Sequence, residues 1–144
     1  MKLLKITVVL IILILPFKLF SYERFAIPYF PGKDLTKSDK TIRVQNIDVN
    51  VAMSRPAKIF KKIYFEFSFY RDRNPIKVEK VFVKFNMKMD MGKYYFKPKC
   101  DNNICRTEII LPKCIWGDNR WFGKLMFQYK NKDYKLVFFF DITD

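Results

Sequence analysis

From residue 41 onward, apolar and polar residues alternate with period two in a series of short stretches. Ile42 and Val44, then Ile47, Val49 and Val51, open the series. Ile63, Phe65, Phe67 and Phe69 share one face, opposite Tyr64, Glu66, Ser68 and Tyr70, and Arg71 to Pro75 follows as a polar turn. Ile76 to Met91 is the longest strand signal, with Val81, Val83, Phe85 and three methionines on one side and Phe82, Lys84, Asn86, Lys88 and Asp90 on the other. Successive side chains of a strand point to opposite faces, so each stretch predicts a strand with one buried side. Tyr94 to Lys97 and Ile104 to Leu111 predict the arms of a hairpin, and Trp121 to Lys130 with Tyr134 to Ile142 a second one around Asn131-Lys132-Asp133.

β-branched and aromatic residues dominate these stretches, turn residues recur at short spacing, and no helical period appears in this part of the chain. About seven strands at this spacing predict an all-β domain, an antiparallel immunoglobulin-like β-sandwich over residues 41–144. The apolar content is enough to fill one core. Residues 22–40 carry Pro28, Pro31 and Gly32 and then a polar stretch from Lys33 to Lys40, which predicts an extended or mobile linker.

The first 21 residues have a different character. Lys2 and Lys5 precede an unbroken apolar run from Ile6 to Leu15, closed by Pro16. The run falls short of the roughly 20 apolar residues of a membrane-spanning helix and fits a secretory signal peptide cleaved after Ser21. An uncleaved anchor in the inner membrane is the competing reading. Both put the domain outside the cytoplasm, in the periplasm or secreted.

Charge adds a class of partner. The chain carries 28 basic and 14 acidic residues, a net +14. Without residues 1–21, and so without Lys2, Lys5 and Lys18, the domain keeps a net +11. Such a charge concentrates anionic partners: a membrane surface, a cell-wall polymer or an acidic protein. The cations are spread along the chain with no run of five or six, which favours a solvated surface over a specific nucleic-acid site.

Three cysteines allow three pairings. Cys100 and Cys105 flank the turn-forming tetrapeptide Asp101-Asn102-Asn103-Ile104, so they are expected to face each other across a hairpin as a disulfide, leaving Cys114 free. Closing so short a loop stabilises by about 2 kcal/mol in the chain-entropy model.

Met87, Met89 and Met91 supply the candidate chemistry. On a strand their thioethers share a face, and soft sulfur ligands select Cu(I). The chain has no histidine. Cys114 is the natural fourth ligand, with Met53 and Met126 in reserve. A plain packing role competes for the methionines, which fill irregular core gaps well, and a buried structural role competes for Cys114.

The run Met-Lys-Met-Asp-Met-Gly (87–92), the aromatic strand Tyr94-Tyr95-Phe96-Lys97-Pro98, the segment Thr-Glu-Ile-Ile-Leu-Pro-Lys-Cys ending at Cys114, and Gly117 with Trp121 resemble the FixH and YtkA-like group of bacterial envelope domains. The resemblance spans roughly residues 60–142. It implies an immunoglobulin-like fold, metal contact at Met87, Met89, Met91 and Cys114, and a role in copper supply to respiratory oxidases, with a copper-receiving protein or oxidase subunit as partner.

An enzyme is disfavoured. There is no histidine for general-base work, no Gly-rich phosphate loop, no paired-carboxylate motif and no Cys-x-x-Cys, and Cys114 lacks the usual base of a nucleophile. Two expectations remain: a Cu(I)-handling accessory domain, or an interaction module that binds an acidic protein or polymer through its basic surface.

Overall fold

A computed structural model describes residues 31–144 apart from 89–90, 93 and 115–117. Among the described residues, ten strands form two antiparallel sheets facing each other as a β-sandwich. The strands are β1 (Lys40–Val44), β2 (Ile47–Met53), β3 (Lys62–Arg71), β4 (Asn74–Pro75), β5 (Glu79–Asn86), β6 (Tyr95–Phe96), β7 (Lys99–Asp101), β8 (Ile104–Ile110), β9 (Arg120–Tyr129) and β10 (Lys132–Asp141). The first sheet runs β1-β2-β3-β8-β7, with β4 paired to β3; the second runs β10-β9-β5-β6. The strands that reach five residues or more are the seven regions where the alternation is sustained.

Phenylalanines lock the sheets together. Phe65 and Phe67 of β3 face Phe85 of β5 and Phe138 and Phe140 of β10, all essentially inaccessible to solvent. The Phe65 ring lies 5.1 Å from Phe85, 5.3 Å from Phe140 and 5.7 Å from Phe138, in tilted arrangements. Phe69 meets Phe127 edge-on at 4.8 Å. Such pairs add about 0.5–1.5 kcal/mol each beyond the burial of their area.

The turns follow from local backbone chemistry. Lys130 and Asn131, between β9 and β10, both take positive φ (49° and 61°), as do Asp72 and Arg73 between β3 and β4 (50° and 66°). Two consecutive left-handed residues make the primed turn whose twist matches that of a hairpin.

Three expectations are corrected. Residues 34–36 are not linker. The Leu35 side chain is fully buried and its N–H donates to Phe139 O at 2.8 Å, while Asp141 N–H donates to Thr36 Oγ1 at 3.0 Å. A single apolar residue in a polar stretch has no period, yet it suffices to seat the chain beside β10. Residues 22–30 lie outside the described residues.

The long strand expected over 76–91 is only β5. It ends at Asn86, whose Oδ1 accepts from Met87 N–H at 3.1 Å and from Met91 N–H at 2.8 Å and turns the chain. At its start, the pairing with β9 slips between Glu79 and Phe82, where Lys80 has φ 49°. Finally, the Tyr94–Lys97 stretch does not form the cysteine hairpin. Tyr95 and Phe96 pair with Lys84 and Val83 of the second sheet, and the arm opposite β8 is β7.

Gly123 of β9 lies under the Phe138 ring, and a Cβ there would collide with that ring. Gly123→Ala is expected to destabilise the domain by about 1–3 kcal/mol, the usual effect of overpacking. The check is a fall in the urea midpoint at unchanged slope.

Candidate functional site

The inward phenylalanines settle which side chains line the two outer faces, and these faces differ in electrostatics. On the first sheet, three cations are matched by carboxylates across the strands, while Lys99 of β7 stands opposite Arg106 with no ion pair among the described residues. Arg106 of β8 donates to Glu66 of β3 at 2.7 Å, Lys62 of β3 meets Glu108 of β8 at 3.0 Å, and Arg43 of β1 meets Asp48 of β2 at 2.9 Å. The hydrogen bond that Lys62 donates to Glu108, and then the Glu108 charge, raise the pKa of Lys62 above the ordinary lysine value. An open groove of about 890 Å³ crosses this face, bordered by Tyr64, Glu66, Lys97, Lys99, Arg106 and Glu108.

The second sheet carries a different face. Its register sets Lys84 of β5 directly opposite Lys124 of β9, with Val137 of β10 and Tyr95 of β6 completing that row. The next row is Lys135, Met126 and Phe82. No ion pair among the described residues engages Lys84, Lys124 or Lys135. Lys84 Nζ instead sits 5.0 Å from the centre of the Tyr95 ring. Tyr95 is 53% and Phe82 41% exposed. Acidic residues border the patch without entering it. Arg120 holds Asp141 through two bonds of 2.8 and 3.0 Å at one end, and Asp133, bonded to Gln128, and Glu79 lie at the other. Like charges directly opposite on one sheet face destabilise, so this arrangement is one that an anion would relieve.

Met53, Met87, Met91 and Cys114 lie towards one end of the sandwich. Met87 follows directly on β5, and Met91 is drawn back by Asn86 so that it packs against the core. Met89 lies outside the described residues. Cys114 is in the connection between β8 and β9, buried and unpaired, whereas Cys100 and Cys105 form the expected disulfide across the β7–β8 hairpin. The methionine loop and the Cys114 loop adjoin: Lys88 Nζ reaches Asp118 Oδ2 at 3.9 Å. β5 ends where β9 begins, with Asn86 opposite Phe122, and Met53 closes β2 beside Phe65. Met126 lies on the outer face of β9, away from this end.

Met87 and Cys114 are each about 95% withdrawn from solvent and belong to the continuous apolar core. Tyr94 meets Trp121 edge-on at 5.7 Å, and Trp121 Nε1 is buried with no acceptor among the described residues. Among those residues no three His, Cys, Asp or Glu side chains converge as a metal site; thioether sites are a separate class. Comparisons with family models, with curated proteins and with solved structures found no match.

Alternation alone puts Lys84 outward, but its pairing with Lys124 depends on the register of strands forty residues apart, which no local pattern encodes.

Burial of Cys114 has a direct consequence. In the folded, non-reduced protein a thiol reagent is expected to react slowly, and on unfolding in urea to titrate a single thiol at free-cysteine rates. Fast reaction in the native state would refute the burial.

Proposed function

We propose that this protein is a non-catalytic binding domain of the cell envelope that docks an anionic partner on the outer face of its second sheet. The observation that carries this reading is the Lys84–Lys124 pair with Lys135 beside it, cations without carboxylate partners interleaved with exposed aromatic rings. The first sheet handles the same situation differently: Lys99 also stands opposite Arg106 there, but Arg106 is held by Glu66. Unpaired surface lysines near one another raise the local potential, steer anions and make binding salt-dependent.

The test is retention of the full chain on an immobilised polyanion. Lys84→Glu/Lys124→Glu is compared with Lys58→Glu/Lys61→Glu, an equal change in net charge away from this face. The first variant is expected to elute at clearly lower salt than the second. Equal elution would mean that only net charge matters and would end the proposal.

A second reading is favoured by the free Cys114 beside the methionine loop. Here the domain handles Cu(I), with Cys114 as thiolate and Met87, Met89 and Met91 as thioether ligands, and passes the ion to an oxidase-assembly partner. The donor set suits a soft monovalent ion. Thiolate binds it more strongly than thioether and would anchor it. Titration of the reduced protein with Cu(I) against a competing chelator is expected to give affinity tighter than micromolar, weakened by Cys114→Ser and by joint Met→Leu replacement at 87, 89 and 91. Leucine keeps the packing volume. Micromolar or weaker affinity that ignores these changes refutes the copper role.

A further inference from the structure

We infer that the anionic partner of the second sheet is a lipid surface, so that the domain lies with the β10-β9-β5-β6 sheet against phosphate-bearing headgroups. This rests on the docking-face reading above and narrows it.

The patch has two chemistries in one plane. Lys84, Lys124 and Lys135 carry ammonium groups on long apolar stems, and Phe82, Tyr95, Met126 and Val137 fill the spaces between them. A soluble polyanion satisfies the lysines and leaves Phe82 and Tyr95 in water. The interface of an anionic bilayer satisfies both kinds of residue. Apolar bodies enter the boundary of the acyl region, and lysines extend their stems to hold charge at headgroup level. A headgroup phosphate between Lys84 and Lys124 also removes the repulsion their register creates. The patch is part of the outer face of a four-stranded sheet, with an open groove at its Met126 and Lys135 end, and an extended surface of this kind suits a planar partner.

The course of the chain agrees. Leu35 seats on Phe139, on β10, the edge of this same sheet. The segment 16–34 joins it to the apolar run Ile6–Leu15. Where that run stays as the anchor weighed above, the domain remains tethered to a membrane.

The experiment is lysine acetylation of the full chain, read residue by residue by mass spectrometry. It is run without vesicles, with phosphatidylcholine vesicles, and with vesicles rich in phosphatidylglycerol. Because each lysine is read separately, attachment through the apolar run does not obscure the face. On anionic vesicles, labelling of Lys84, Lys124 and Lys135 is expected to slow about fivefold, the factor set by about 1 kcal/mol of headgroup attraction per lysine. Lys62 and Lys99 of the first sheet should keep their rates. In Lys84→Gln/Lys124→Gln, protection of Lys135 should disappear. Equal rates on both faces, or equal protection on phosphatidylcholine, overturns the inference. If polyanion retention still depends on Lys84 and Lys124 while anionic vesicles give no protection, the docking face stands and its partner is an acidic protein or polymer instead.

Discussion

Interlock of phenylalanines across the gap between the sheets is the constraint on which the rest depends. Phe65 touches a ring on its own strand, one on β5 and two on β10. Strand geometry then leaves no freedom elsewhere, because slipping a strand by one residue would exchange its buried and solvated sides. Tyr64 and Glu66 must face out on one side of the molecule, Phe82 and Lys84 on the other. The surface chemistry is in this sense dictated by the interior.

Within that frame the two outer surfaces are solved differently. On the first sheet, oppositely charged neighbours such as Arg106 and Glu66 satisfy one another, an arrangement worth little in stability but one that offsets local charge. The second sheet retains a repulsive neighbour pair at Lys84 and Lys124. A fold with many hydrophobic contacts in reserve can sustain such a local cost, and residues that disfavour the isolated domain while favouring a complex are characteristic of functional surfaces.

The sandwich was legible because period two is encoded residue by residue: Ile63, Phe65, Phe67 and Phe69 announce their common face without reference to the rest of the chain. The β7–β8 disulfide was legible for the same local reason, as Cys100 and Cys105 flank a turn-forming tetrapeptide. What failed was non-local or singular. Asn86 ends β5 by accepting two N–H groups through its side chain, so Met87 and Met91 leave the strand although their spacing continues the alternation. Tyr95 and Phe96 join the second sheet rather than the cysteine hairpin because a two-residue strand has no pattern that names its partner. Met87 and Cys114, far apart in the chain, share one end of the sandwich within its apolar interior, a proximity that no local spacing encodes.

Leu35 has a mechanical corollary. Its backbone bond to Phe139 and the Thr36 bond to Asp141 clamp the incoming chain to the edge of the second sheet, and the Arg55 bond to the Leu35 carbonyl ties it to the end of β2. The Asp34–Phe139 bridge is parallel, so tension applied through the preceding residues reaches several bonds at once in shear, instead of peeling them singly. Whatever holds the upstream chain therefore pulls on β10, and a tug on the tether is felt directly by the lysine-bearing sheet.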